Sequence, residues 1–103
     1  MQIILYSRKG CCLCEGLETR LKSLPLDHLK PPFDLKIIDI DIDNSDLSDL
    51  DRNKFRLEVP VMILSIDKPD GIERIQLPRV SPRLKGENLV YWIQDRIDQT
   101  LMP

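Results

Sequence analysis

The sequence predicts an α/β domain in which a four-stranded mixed sheet is flanked by three helices, in the order β-α-β-α-β-β-α. Three observations support this fold class. A continuous apolar run, Ile3–Tyr6, is followed by the polar stretch Ser7–Gly10. Leucines then recur at steps of three and four residues, and a later stretch alternates between apolar and acidic residues. These patterns are typical of a buried strand, a helix with one apolar face, and a strand with one wet face.

The first half of the chain is predicted to form a strand, a helix and a second strand. The first strand, at Ile3–Tyr6, suits the centre of the sheet because it is apolar throughout. The first helix ends at Pro25, which cannot continue a helix, and Leu26–Pro32 is a loop. The second strand, at Phe33–Ile42, alternates strictly and is expected at a sheet edge. The apolar face of the first helix consists of four leucines: Leu13, Leu17, Leu21 and Leu24.

The second half is predicted to form a short helix, a hairpin and a closing helix. Asp67–Gly71 has the composition of a turn, so the strands on either side pair as a hairpin. Ser81 and Pro82 can cap and start the closing helix, but Gly86 interrupts its early part and places the expected start near Lys85. The remaining bounds, in order, are a helix from Asn44 to Phe55, strands at Val59–Leu64 and Ile72–Leu77, and a helical period from Leu89 to Leu101.

The composition predicts a single folded domain over residues 1–103. Hydrophobic residues make up 42% and charged residues 31% of the 103 residues, a globular mixture that is large enough for one modest core. A net charge of -2 provides no general attraction to nucleic acid or anionic membranes, so neither is expected as a partner. No apolar run approaches the roughly 18–20 residues that span a bilayer, and the N-terminus lacks the basic region of a signal peptide. We therefore expect a cytoplasmic monomer in a reducing compartment.

Three cysteines, Cys11, Cys12 and Cys14, cluster where the first strand gives way to the first helix. An odd, clustered set in a reducing compartment favours redox chemistry or metal binding over structural disulfides. The unpaired N–H groups of the first helical turn would stabilise a thiolate at Cys11, and Arg8 and Lys9 add positive charge. Cys14 lies on the same helical face and can approach Cys11. The pattern predicts that Cys11 attacks a disulfide and that Cys14 resolves the mixed disulfide.

The run from Leu5 to Cys14 resembles the strand–CxxC–helix start of glutaredoxins, and more closely that of the small bacterial and plastid-type glutaredoxin-like proteins. Glu58–Val61 is similar to the Val-Pro step of this family, and Leu77–Arg83 is similar to its C-terminal part. The resemblance covers nearly the whole chain and implies a thioredoxin-like fold. It also implies a cis bond before Pro60, in a loop that faces the CxxC. The backbone of Val59 would then pair with an extended peptide or with glutathione.

The resemblance implies a thiol–disulfide oxidoreductase that reduces disulfide-containing or glutathionylated proteins, with glutathione as a possible reductant. Val59 and Pro60 would align the substrate. Arg79 and Arg83 are candidates for binding a carboxylate of glutathione or of an acidic partner loop. Arg8 and Lys9 are candidates for the same role because they adjoin Cys11 in the sequence.

Two features differ from typical glutaredoxins. Cys12 and Leu13 stand where an aromatic residue is usual within the CxxC. Gly86–Asn88 is only remotely similar to the Gly-Gly segment that helps to bind glutathione. The electron donor therefore stays open, as does the accessory role of Cys12, which can be a second exchange partner or a glutathionylation site.

Two alternatives to the enzyme also stay open. One is an iron–sulfur carrier or redox-sensing interaction module, in which a cluster bridges two chains and glutathione completes the ligands. The other is a thioredoxin-fold scaffold with inert thiols. A zinc site within one chain is disfavoured because three thiolates fall short of four ligands and His28, the single histidine, lies far along the chain. No resident metal or cofactor is expected.

Overall fold

The computed structural model describes residues 1–41, 53–55 and 57–101. Residues 53–55 are helical, and a single 3-10 turn at Leu26–His28 follows the first helix. The other elements, in chain order, are β1 (Gln2–Ser7), α1 (Cys12–Lys22), β2 (Asp34–Asp39), β3 (Val61–Lys68), β4 (Gly71–Gln76) and α2 (Gly86–Leu101).

The strands form one four-stranded sheet in the order β2-β1-β3-β4. β1 pairs in parallel with β2, with Leu5 opposite Ile37, and antiparallel with β3, with Leu5 opposite Met62. β3 and β4 pair antiparallel across a tight turn that closes with Lys68 opposite Gly71. This mixed sheet with its helices confirms the predicted α/β, thioredoxin-like fold class. It also confirms that β1 is central and that β2 lies at an edge.

The sheet buries apolar side chains on both faces, which explains why β1 is apolar throughout. Because side chains alternate along a strand, Ile3 and Leu5 join a large core with the buried residues of α1 and α2. Ile4 and Tyr6 join a smaller core on the opposite face. The ring centroids of Tyr6 and Phe55 lie 5.0 Å apart in this second core, so Phe55 helps to cover that face.

The buried face of α1 differs from the predicted leucine stripe. Leu13 is 51% exposed, whereas Cys14, Leu17 and Leu21 are buried. Residues 14, 17 and 21 are spaced by three and four, so they share the face that meets the sheet. Residue 13 is one position, or about 100°, away from that face. The helix ends at Lys22, with Ser23 as its C-cap, so Leu24 lies beyond it. The prediction that Leu13 and Leu24 belong to the apolar face of the first helix was therefore wrong.

β2 is shorter than predicted because the chain turns immediately after Asp39. The amide of Asp41 donates to the side chain of Asp39 at 2.9 Å, which closes a local turn. Ile37 is half-buried beside buried Ile38, so the alternation is not strict. Most of the predicted short helix, from residue 44 to residue 52, lies outside the described residues.

The closing helix begins at Gly86, close to the expected Lys85. Ser81 and Pro82 do not start it; instead, the amide of Leu84 donates to the carbonyl of Ser81 at 3.1 Å in a separate turn. Gly86 has φ +58°, a left-handed conformation across which a right-handed helix does not continue. Among the described residues, no helix is long and apolar enough to cross a membrane.

Candidate active site

Cys11 is the N-cap of α1, a position usually taken by Ser, Thr, Asp or Asn. Its backbone is extended and its sulfur accepts a hydrogen bond from the amide of Cys14 at 3.2 Å. Its carbonyl accepts the bond from Glu15 at 2.9 Å. The Glu15 side chain in turn accepts from the amide of Gly10 at 3.4 Å, much as a capping box does. The half-buried sulfur of Cys11 thus takes the place of a capping oxygen and faces the positive end of the helix dipole.

Cys14 has the opposite environment, since its side chain is fully buried. The pKa of the Cys14 thiol is raised to about 12, mainly by burial and then by the hydrogen bond between its side chain and that of Cys11. Because the thiol is protonated at neutral pH, Cys14 acts there as a hydrogen-bond donor toward the sulfur of Cys11. All three cysteines are free, and Cys12 is exposed at the first position of α1.

These surroundings give the two cysteines different chemical capacities. The sulfur of Cys11 is partly accessible and accepts a hydrogen bond from the amide of Cys14. Cys14 is shielded from solvent and holds its proton. Cys11 is therefore accessible to a partner, while the buried thiol of Cys14 lies next to the sulfur of Cys11.

The Val59–Pro60 peptide bond is cis, and its loop is tied back into the chain. The amide of Val59 donates to the carbonyl of Phe55 at 2.9 Å. Its carbonyl accepts from Nη2 of Arg79 at 3.2 Å. Both backbone groups of Val59 thus have partners within the chain, although the carbonyl keeps a second lone pair. The sequence did not predict this internal pairing.

Pro60 and the CxxC segment line the same groove. Leu13, from between Cys12 and Cys14, shares a cavity of about 160 Å³ with Pro60 and Val80. A neighbouring cavity of about 280 Å³ continues past Pro60 toward Leu57 and Leu77. Arg79 lines both cavities. The groove therefore joins the start of α1, the cis-proline loop and the segment that follows β4.

The basic candidates have different surroundings. Arg8 binds Asp41 through both Nε and Nη2, at 2.7 and 3.1 Å. This hydrogen bond and the charge of Asp41 raise the pKa of Arg8. Lys9 and Arg83 are exposed, and within the described residues the charged end of neither makes a hydrogen bond or ion pair. Arg79 is bound to the cis-proline loop.

Arg20 was not among the functional residues predicted from the sequence. Its guanidinium donates to the carbonyl of Gly16 at 3.2 Å and to that of Ser81 at 3.1 Å, and it makes a further short contact with the carbonyl of Leu84. Arg20 thereby ties α1 to the segment that lines the far side of the groove. Nothing in the sequence distinguishes this arginine from a solvated helix charge, because the contact depends on where the later segment passes.

The comparison with protein families matches residues 2–94 to the glutaredoxin-like domain (DUF836). Comparisons with curated proteins and with solved structures found no match. The family match spans every strand, α1 and the cysteine cluster, and most of α2. The chain therefore belongs to the glutaredoxin-like domain family.

Proposed function

We propose that the protein is a thiol–disulfide oxidoreductase in which Cys11 attacks and Cys14 resolves. One observation carries the proposal: Cys11 caps α1 with its sulfur while Cys14, three residues later, is buried and protonated. The sulfur of Cys11 is partly exposed at the N-cap, where a substrate disulfide can reach it. Burial keeps Cys14 from competing for the substrate. The family match supports a redox protein with this fold.

The proposed reaction has two exchange steps. The Cys11 thiolate attacks one sulfur of the substrate disulfide, forms a mixed disulfide and releases the other sulfur as a thiolate, which takes up a proton. Cys14 then loses its proton and attacks the sulfur of Cys11, which forms the Cys11–Cys14 disulfide and releases the second substrate thiol. The substrate gains two electrons and two protons. Both electrons and the Cys14 proton come from the protein, and solvent supplies the second proton, since Cys11 starts as a thiolate.

Disulfide-containing or glutathionylated proteins are the proposed substrates, and glutathione is a candidate for the thiol that returns the protein to its dithiol form. Of the four basic candidates, Lys9 and Arg83 are proposed to meet an anionic group, since Arg8 and Arg79 are already bound within the chain. The protein is proposed to act as a monomer without a resident cofactor. A reducing compartment such as the cytoplasm would keep Cys11 and Cys14 in the reduced, dithiol form.

Trapping the mixed disulfide tests the two roles. In a Cys12→Ser background, we expect Cys14→Ser to accumulate a covalent complex with a disulfide-bonded peptide, because no thiol can resolve it. Cys11→Ser in the same background should form none. Mass spectrometry after acid quenching identifies the linked cysteine. Trapping through Cys14, or equal trapping by both variants, would contradict the assignment.

The two non-enzymatic alternatives predict different results in the same preparation. An iron–sulfur carrier would be brown when purified without oxygen and would dimerise with its cluster. A scaffold with inert thiols would bind partners equally well after Cys11→Ser and would exchange no disulfide.

A further inference from the structure

Arg79 joins the segment after β4 to the loop that contains Pro60. It lies in the segment after β4, and the buried Leu77 anchors this segment by donating its amide to the carbonyl of Met62 at 2.9 Å. Across the groove, Nη2 of Arg79 donates to the carbonyl of Glu58 at 3.3 Å and to that of Val59 at 3.2 Å. These are the two carbonyls that immediately precede the Pro60 ring.

The atom that Arg79 uses restricts what else it can bind. A guanidinium grips a carboxylate with two parallel N–H groups, either Nε with Nη2 or Nη1 with Nη2. Arg8 shows the first arrangement, with Nε and Nη2 on the two oxygens of Asp41. In Arg79, Nη2 is already engaged with two carbonyls, and both arrangements need it. Arg79 is therefore poorly placed to grip a substrate carboxylate.

The same contacts limit how a substrate backbone can pair with the loop. The amide of Val59 donates its hydrogen bond to the carbonyl of Phe55, so it is not free to bind an extended peptide. The Val59 carbonyl accepts one hydrogen bond from Arg79, which leaves its second lone pair for a substrate N–H. Val59 can thus offer a substrate one backbone acceptor, its carbonyl, to which Arg79 also donates.

We propose that Arg79 is a positioning residue, which holds the carbonyls of Glu58 and Val59 so that the Val59 carbonyl and the Pro60 ring meet the substrate beside Cys11. This proposal rests on the proposed function. It assigns Arg79 to the protein's own loop, in place of a carboxylate of glutathione or of an acidic partner. Its effect is consequently independent of substrate charge.

Two disulfide-bonded peptides test the proposal, identical except for Asp or Asn beside the cysteine. Pre-reduced protein is mixed with each peptide over a range of concentrations in single-turnover experiments. For Arg79→Met, we expect the half-saturating concentration to rise about fivefold for both peptides, the factor expected from losing one net hydrogen bond. The limiting rate should stay within twofold, since Cys11 and Cys14 are untouched. Arg79→Lys should recover part of the loss, because an ammonium also donates to carbonyls.

Arg74→Met is the matched control, because Arg74 is exposed on β4 and makes no side-chain hydrogen bond or ion pair within the described residues. This substitution should leave the half-saturating concentration and the limiting rate unchanged for both peptides. A loss confined to the Asp peptide, or one that disappears in 0.5 M salt (roughly a 4 Å screening length), would overturn the proposal in favour of carboxylate binding. Unchanged half-saturation for both peptides would also overturn it.

Hydrogen exchange provides a readout that needs no activity. Without Arg79 the loop should open more often, so the Val59 amide should exchange about fivefold faster in Arg79→Met and at the wild-type rate in Arg74→Met. An unchanged rate would refute the positioning role. If the wild-type protein reduces neither peptide, the proposed function fails, but the exchange experiment still decides whether Arg79 holds the loop. Should Arg79→Met fail to fold, Arg79→Lys and Arg79→Gln take its place in both experiments.

Discussion

Cys11 and Cys14 have the same side chain and lie three residues apart, but the structure surrounds them differently. The sulfur of Cys11 accepts a backbone amide at the start of α1, whereas Cys14 is fully buried. The placement of Cys11 at the helix start and of Cys14 three residues later led to the prediction that Cys11 attacks, and this stays a prediction. The sequence could not predict that Leu13 is exposed or that Arg79 reaches the carbonyl of Val59. Such contacts depend on tertiary placement, which long and flexible side chains leave open.

The raised pKa of Cys14 makes a prediction about stability at high pH. Since the folded pKa of about 12 exceeds the ordinary value of 9.0, the folded protein keeps a proton that the unfolded chain releases above about pH 9. The contribution is fully present below pH 9 and is lost as the pH rises toward 12. We expect wild-type protein to lose about 2 kcal/mol relative to Cys14→Ala by pH 10.5.

Urea unfolding of both proteins under reducing conditions measures this difference. Lysine and tyrosine titration is common to the two and cancels in the comparison. A difference in unfolding free energy that stays constant from pH 8 to pH 11 would show that Cys14 titrates like an ordinary thiol.

At the scale of elements, the start of α1 depends on a cap that sequence patterns do not reveal, because cysteine is not a usual capping residue. The start of α2 was easier to predict, since Gly86 marks the point where the chain enters the helix. The bounds of β2 were harder, because the turn that ends it comes from the side chain of Asp39 and not from a break in hydrophobicity. Local capping chemistry, more than periodicity, thus sets where these elements begin and end.

The cap contact separates the structural role of Cys11 from its chemical role. In Cys11→Ser, the hydroxyl oxygen should still accept the amide of Cys14, so stability should remain close to that of the reduced wild type. In Cys11→Ala, the cap is lost, and the free energy of unfolding should fall by about 1 kcal/mol relative to the serine variant. Urea unfolding of the reduced proteins measures this difference between the serine and alanine variants. Equal stability of the two variants would argue against capping by residue 11.

The corrected face of α1 makes a second prediction at this scale. Leu17→Ala should cost about 2–4 kcal/mol of unfolding free energy, because Leu17 is 2% exposed in the main core. Leu13→Ala should cost less than about 1 kcal/mol, because that side chain is half exposed. Thermal or urea unfolding compares them directly. A larger loss at Leu13 would restore the leucine stripe that the sequence predicts.

At the scale of the whole molecule, the sheet order follows from connections that the sequence makes visible. A helix between two strands favours a parallel pair, and a short turn requires an antiparallel one. Those rules predicted a mixed sheet with one parallel pair and one hairpin, whereas the full strand order β2-β1-β3-β4 was not predicted. They do not determine how the segment after β4 returns across α1. That path depends on Arg20, whose contacts join residues about 60 positions apart along the chain.

Arg20 should therefore contribute to the stability of the whole domain. We expect Arg20→Met to lower the unfolding free energy by about 1–3 kcal/mol, because it leaves the carbonyls of Ser81 and Leu84 without their charged donor. Arg74→Met, an exposed arginine on β4, should change it by less than about 0.5 kcal/mol. Equal effects of the two substitutions would indicate that the Arg20 contacts contribute nothing.

The most direct test of the central claim is the rate of alkylation of each cysteine in the reduced, folded protein, measured against pH and mapped by mass spectrometry. We expect Cys11 to be modified first at pH 7, and Cys14 to remain unmodified until the protein unfolds, because it is buried and has a pKa of about 12. Modification of Cys14 in the folded protein at a rate comparable to that of Cys11 would contradict the division of roles. Preferential reaction at Cys12 would move the nucleophile to a different residue.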